Sequence, residues 1–221
     1  RHTRCLSDWS SDVCSSDLIL PNLYNRLSKL PKKSATADAN YYDFMEDLWF
    51  NFEPGYEAFY AWAKQRAQGE ITDLGCGDGN VGKKLGATYY YDYIQTVPNC
   101  MPIDLNAPLY EKLKGDTFVL SHVLEHLKDP KNTLKNLYDI LDSGKRVIIA
   151  VPDASKADST AIPFNQYIPL NDQSGKHLHH LYAWTMPDLY NTLISQGWDS
   201  IDMGYADICG FACIWALAIK P

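Results

Sequence analysis

The sequence predicts an α/β fold in which helices cover both faces of a mostly parallel, doubly wound sheet. Three observations predict it. Short apolar strand-like segments alternate with amphipathic helical ones. Val147–Val151 is apolar throughout, as a strand covered on both faces must be. A glycine-rich turn, Gly75-Cys76-Gly77-Asp78-Gly79, joins a strand to a helix. Composition agrees: 46% of the 221 residues are hydrophobic and 21% charged, the balance of an ordinary soluble domain with enough chain for a sizeable core. Lys and Arg number 20 against 27 Asp and Glu, a net charge of −7 with no basic stripe, so no nucleic-acid partner is expected. The apolar run Phe211 to Ile219 falls well short of the ~20 residues that span a bilayer. No basic amphipathic stretch points to a membrane surface either.

The first residues stand apart. Asp8 to Leu18, DWSSDVCSSDL, matches one reading frame of a widely used short-read sequencing adapter. Residues 1–18 are therefore read as a cloning or assembly artefact, with native sequence expected from about Ile19. Cys5 and Cys14 then drop out, leaving Cys76, Cys100, Cys209 and Cys213. These form no CxxC pair and no zinc spacing, so reduced thiols in a cytoplasmic protein are expected.

The elements follow in order. Residues 19–53 are aromatic near their end (Tyr41, Tyr42, Phe44, Trp49, Phe50 and Phe52) and are read as a lid segment ahead of a domain spanning 54–221. Tyr56, Phe59, Tyr60 and Ala63 repeat as i, i+3, i+4, i+7, one helix face that Gly69 ends. Ile71–Leu74 is a strand running into the glycine turn, and a helix follows to about Leu85. Further strands are expected at Thr88–Tyr91, Met101–Ile103, Thr117–Leu120 and Val147–Val151. The run Tyr89-Tyr90-Tyr91 is read as strand and core. Before the last of these strands, Asp129 suits an N-cap and Pro130 a first turn; Leu134, Leu137, Tyr138 and Leu141 share a face until Ser143-Gly144 stops the helix. Residues 152–184 carry little periodicity and read as an insertion covering the substrate. Thr185 with Asp188 opens a helix that ends at Gly197, and strands at about Ser200–Tyr205 and Cys213–Ile219 close the chain.

The glycine turn carries the chemistry. Glycines at alternate positions let backbone approach a ligand closely and aim N–H groups at it. A dinucleotide site wants G-x-G-x-x-G, whereas the spacing here is G-x-G-x-G with Asp73 just ahead. A fixed carboxylate there repels a pyrophosphate but suits a ligand carrying an ammonium or sulfonium. A tight structural turn is the alternative reading.

With its flanks, Ile71 to Asn80 (ITDLGCGDGN) resembles the first motif of class I S-adenosylmethionine (SAM) dependent methyltransferases. Ser121 to Pro130 (SHVLEHLKDP) resembles the segment after the fourth strand in their small-molecule branch, which includes ubiquinone-biosynthesis-type enzymes. The resemblance spans about 54–221. It implies a Rossmann-like, seven-stranded sheet whose last strand is antiparallel, with SAM as cofactor. It also implies that Gly75, Cys76, Gly77 and Gly79 pass beside the methionine part of SAM with Asp73 near its amino group. Asp92 would hold the ribose hydroxyls, and Asp104 with the Leu105 N–H the adenine. Only Tyr93 to Ile103 separate those two acids, too few for the family's usual helix, which implies a more open adenine pocket.

The acceptor implied is a small molecule, methylated at oxygen or nitrogen: a sugar or glycan precursor, a phenol or a metabolite. The Asn/Asp-Pro-Pro-aromatic motif of base-amine methyltransferases is absent, since Leu-Ser-His-Val-Leu stands in its place. Ser121 follows the fourth strand at the edge where parallel sheets bind ligands. If His122 to Leu127 make a helical turn, His122, Glu125 and His126 share a polar face while Leu124 and Leu127 face the core. His126, or His122 as second choice, is then a candidate base that Glu125 orients. A purely structural brace is the alternative. His177, His179 and His180 have no carboxylate at helical spacing beside them, and no metal is expected; substrate contact and ordinary packed or solvated histidines are the readings left. A nicotinamide oxidoreductase and a non-catalytic SAM-binding subunit are the rival functions.

Overall fold

The structure, a computed structural model, describes residues 56–95, 97–153, 181–182, 184–208 and 211–221. Residues 56–64 are helical (α1), with Tyr56, Phe59, Tyr60 and Ala63 all buried, as their spacing predicts. Then come β1 (Ile71–Leu74), α2 (Asn80–Leu85), β2 (Tyr89–Asp92), β3 (Met101–Pro102) and β4 (Thr117–Ser121). A single 3-10 turn (Leu124–His126), α3 (Pro130–Ile140), β5 (Arg146–Pro152), α4 (Met186–Ser195), β6 (Asp199–Ile208) and β7 (Phe211–Ile219) complete the order.

Seven strands form one sheet in the order β3-β2-β1-β4-β5-β7-β6. Neighbours among β1 to β5 pair in parallel, and β7 runs antiparallel to both β5 and β6. This is the α/β, doubly wound, Rossmann-like sheet with an antiparallel last strand that the sequence led us to expect.

Period-two alternation divides the core between the faces. Val147, Ile149 and Val151 of β5 pack with Leu134, Leu137, Leu189 and Trp198 from α3, α4 and the residues after it. Ile148 and Ala150 pack with Tyr56, Phe59, Val81 and Leu85 from α1 and α2. A strand flanked by apolar layers on both sides has no polar face, which is why β5 reads as an unbroken apolar run.

Helix caps fall where the sequence places them. The Asp129 side chain accepts from the Asn132 N–H at 3.0 Å, and Pro130 fills the first turn of α3. Thr185 Oγ1 accepts from the Asp188 N–H at 3.3 Å at the start of α4. Some bounds differ. Helix α1 gives way to a turn after residue 64, α3 ends at Ile140, and β3 is shorter than the expected Met101–Ile103. Among the described residues between β2 and β3 no helix forms.

Residues 19–53, and with them the lid, lie outside the described residues. So do residues 154–180 of the insertion, including His177, His179 and His180. The ends of that insertion are described and are fastened together. Asp153 bridges Trp184, and the N–H groups of Leu181 and Tyr182 donate to the Glu125 carbonyl at 2.6 and 3.2 Å. Among the described residues no helix is long and apolar enough to cross a membrane.

Candidate active site

At the C-terminal edge of β1, Gly75, Gly77 and Gly79 adopt φ of 72°, 53° and 75°, the left-handed region that side chains resist. Space is as restrictive as the dihedral: a Cβ on Gly75 would lie 2.7 Å from Val123 Cγ2. The N–H groups of Gly75 and Cys76 both donate to the Tyr91 carbonyl, at 2.8 and 3.1 Å, and so draw the turn onto the end of β2. There Asp92 receives it. One carboxylate oxygen accepts the Gly77 N–H at 2.8 Å, and the other accepts the Ile94 N–H at 3.0 Å. Asp92 is buried, so the residue expected to meet the ribose is also the anchor of the turn.

Asp73, expected near the ammonium, is also bound to the fold. Its Oδ2 accepts the Gly82 N–H at 2.8 Å and fastens α2 to β1. Burial pushes the Asp73 carboxyl up to about 7; the Gly82 hydrogen bond opposes this, while the Asp92 and Asp78 carboxylates add to it. Cys76, inside the turn, is buried with its Sγ 3.7 Å from that of Cys100.

Asp104 stands in an exposed turn just beyond β3, where its Oδ1 accepts the Asn106 N–H at 2.9 Å. Leu105 is buried, and its carbonyl accepts the Thr133 hydroxyl at 2.7 Å. The expectation that Asp104 ends the third strand is corrected: β3 stops at Pro102, and the Ile103 N–H donates to the Asp92 carbonyl at 3.0 Å. A strand needs a partner for each rung, and β2 ends opposite Pro102.

Ser121 closes β4. Its buried hydroxyl has no hydrogen-bond partner among the described residues, which leaves a polar atom at the ligand-binding edge of the sheet.

The helical turn expected from His122 onward is corrected too. His122 has φ of 55° and donates its N–H to the Ala150 carbonyl of β5 at 2.8 Å, so the 3-10 turn starts only at Leu124. His122 and His126 therefore do not stand one helical turn apart. Leu124 and Leu127 are buried, as expected. Glu125, fully buried, meets His122: Oε1 lies 3.1 Å from Nδ1. On the far side of the ring, Nε2 is 3.8 Å from Cys213 Sγ of β7, and the Tyr56 ring packs edge-on at 5.5 Å. Burial works against a charged imidazole here, but the Cys213 sulfur and the Glu125 carboxylate outweigh it and push the His122 pKa up to about 10. His126, half-buried, ends the turn with its N–H on the Val123 carbonyl at 3.0 Å.

Sequence reasoning missed Tyr56 and Cys213. The first reads as one position of a helix face and the second as a strand residue. Only the packing of α1 on the sheet and the pairing of β7 with β5 bring them to His122.

Comparison with known proteins names the family. The chain belongs to the methyltransferase domain family, whose model matches residues 55–198. No curated protein sequence matches the chain. Among solved structures, a SAM-dependent methyltransferase from Thermotoga maritima is similar with a TM-score of 0.61 at 12% identity, over 81% of this chain and 95% of that one. The 1,6-didemethyltoxoflavin-N1-methyltransferase of Burkholderia thailandensis, solved with its substrate and S-adenosylhomocysteine, is similar at 0.58 and 15% identity, over 90% of each chain. Magnesium protoporphyrin IX methyltransferase of Synechocystis PCC 6803, also with S-adenosylhomocysteine, is similar at 0.52 and 16% identity, over 90% of this chain and 94% of that one. At such identities these likenesses establish the fold. Membership of the methyltransferase family displaces the nicotinamide oxidoreductase reading.

Proposed function

We propose that this protein transfers a methyl group from SAM to an oxygen or nitrogen of a small acceptor molecule. One observation carries the reading: three left-handed glycines at the end of β1, tied through the Gly77 N–H to the Asp92 carboxylate at the end of β2. That backbone cradle leaves no room for a side chain at Gly75 and sets a carboxylate beside it, a pairing that suits a nucleoside joined to an amino acid. The family match and the structural likeness to two enzymes holding S-adenosylhomocysteine support the same cofactor.

The residues present fit SAM. Gly75, Cys76, Gly77 and Gly79 would line its methionine part, with Asp73 facing the ammonium. Asp92 would accept the ribose hydroxyls. Asp104 and the Leu105 N–H would meet the adenine, and the unpartnered Ser121 hydroxyl would turn to the ligand. When bound, SAM supplies a methyl carbon already activated by its sulfonium.

The chain's own contribution is alignment, exclusion of water and handling of the acceptor's proton. The Cys213 sulfur and the Glu125 carboxylate hold His122 toward its charged form, which disfavours it as a base. His126 keeps that role. A small acceptor agrees with the acidic balance of the chain, and the structural likeness to the toxoflavin enzyme, solved with its substrate, supports it.

Calorimetry with S-adenosylhomocysteine and with NAD(P)H tests the cofactor: the first should bind and the second should not. Methyl-labelled SAM, incubated with the protein and a fractionated cell extract, should then place label on a small molecule. Label confined to macromolecules, or to no fraction at all, would overturn the reading.

A further inference from the structure

Cys76 and Cys100 lie in different parts of the sequence, yet the fold sets their sulfurs 3.7 Å apart and buries both. Cys76 belongs to the glycine turn. Cys100 ends the short connection between β2 and β3. Both backbones are held. The Cys76 N–H donates to the Tyr91 carbonyl at 3.1 Å and the Cys100 N–H to the Val97 carbonyl at 3.0 Å, while Met101 pairs in register with Tyr91 itself. A disulfide requires sulfurs about 2.05 Å apart. These two therefore need to approach by only about 1.7 Å, the scale of a side-chain rotation with a small backbone shift.

We propose that Cys76 and Cys100 are an oxidation site: they close reversibly into a disulfide that clamps the glycine turn to the β2–β3 connection and weakens its hold on the cofactor. The co-reactant is a low-molecular-weight disulfide such as oxidised glutathione. One thiolate attacks a sulfur of that disulfide and expels the other half as a thiol. The second thiolate then displaces the attached half. Two protein S–H bonds are lost and one S–S bond forms, and two electrons and two protons leave with the reduced glutathione.

The surroundings set the pace. Burial, the Asp73 and Asp92 carboxylates and the neighbouring sulfur push the Cys76 thiol well above the ordinary range; burial chiefly raises that of Cys100 too. Thiolate is scarce at neutral pH, so closure is slow there and quickens as pH rises. The turn has no slack to absorb the pull. A Cβ on Gly75 would lie 2.7 Å from Val123 Cγ2, and the Gly77 N–H is committed to Asp92. Moving Cys76 toward Cys100 shifts its neighbour Gly77 and so disturbs the Gly77 N–H hydrogen bond to Asp92. This effect on binding rests on the turn being the SAM cradle; the disulfide itself does not.

The full chain is incubated with oxidised glutathione at pH 7 and pH 8.5, mapped by non-reducing peptide mass spectrometry, and titrated with S-adenosylhomocysteine. A peptide linking Cys76 to Cys100 should form, faster at pH 8.5. Affinity should fall at least fivefold and return with dithiothreitol. Cys100→Ser should bind like the reduced protein and ignore the oxidant. Absence of the Cys76–Cys100 linkage while other cysteines react overturns the site, and linkage with unchanged affinity overturns its effect on binding. If the reduced protein fails to bind S-adenosylhomocysteine, the cofactor reading falls instead, and the peptide map still decides the disulfide.

Discussion

Along the C-terminal edge of the sheet, the β1–β2 side is walled by backbone and the β4–β7 side by side chains. Around Gly75 to Gly79, N–H groups meet the Tyr91 carbonyl and the Asp92 carboxylate, and the glycines present no side chain of their own. Around His122, an imidazole, a carboxylate, a thiol and a phenol ring from the residue after β4, the 3-10 turn, β7 and α1 meet in a buried cluster. A backbone wall recognises what any ligand of the same shape offers, and it depends on dihedrals more than on residue chemistry. A side-chain wall is specific and tunable, but each buried charge in it needs a partner, as Glu125 has in His122. In the function proposed above, the common part of the reaction, the cofactor, falls to the first wall and the variable part, the acceptor, to the second.

Substitutions separate the two walls. The largest effect is expected on the acceptor side: His126→Gln should lower kcat by about 10²–10⁴-fold while S-adenosylhomocysteine affinity stays near wild type. Turnover of labelled SAM with the acceptor fraction measures it, and normal turnover would remove His126 from the chemistry. On the cofactor side, Asp92→Ala should weaken S-adenosylhomocysteine binding at least tenfold, about 1.4 kcal/mol, through loss of charge-assisted hydrogen bonds. Asp92→Asn keeps one acceptor and should fall between the two. Calorimetry reads both, and equal affinity in all three proteins would show that the end of β2 does not hold the ligand.

The smallest effect concerns Asp73. Its pKa, raised to about 7, leaves it largely protonated below neutrality, and a proton there competes with the ligand's ammonium. Affinity for S-adenosylhomocysteine should therefore rise several-fold as pH climbs through 7 and level off above it. Asp73→Asn should flatten the profile. A wild-type profile equally flat between pH 6 and pH 8 would leave Asp73 only its task of fastening α2 through Gly82.

The two walls also differed in what the sequence disclosed. The β1–turn–α2 unit is contiguous, so G-x-G-x-G after an apolar strand is enough to place it, and Asp92 follows from the next strand. The apolar run of β5, the Asp129 and Thr185 caps and the α1 face were equally plain, because each depends on neighbours within a turn or two. Asp104 fell beyond the strand it was expected to end, since strand length is set by pairing with β2 and not by residues 101–104 themselves. The helical register proposed for His122 to Leu127 failed for a similar reason. The Ala150 carbonyl of β5 captures the His122 N–H and holds that residue at positive φ, outside any helix.

By itself, then, the sequence determined the α/β class, the parallel order of alternating elements and the glycine turn. All of these are encoded in local periodicity and turn chemistry. Tertiary structure alone decided that Glu125 serves His122, that Cys213 and Tyr56 flank that ring, and that Cys76 faces Cys100. The physical reason is separation along the chain: Cys213 lies 91 positions from His122 and Cys100 lies 24 from Cys76, and only the packing of β7 and of the β2–β3 connection closes those distances.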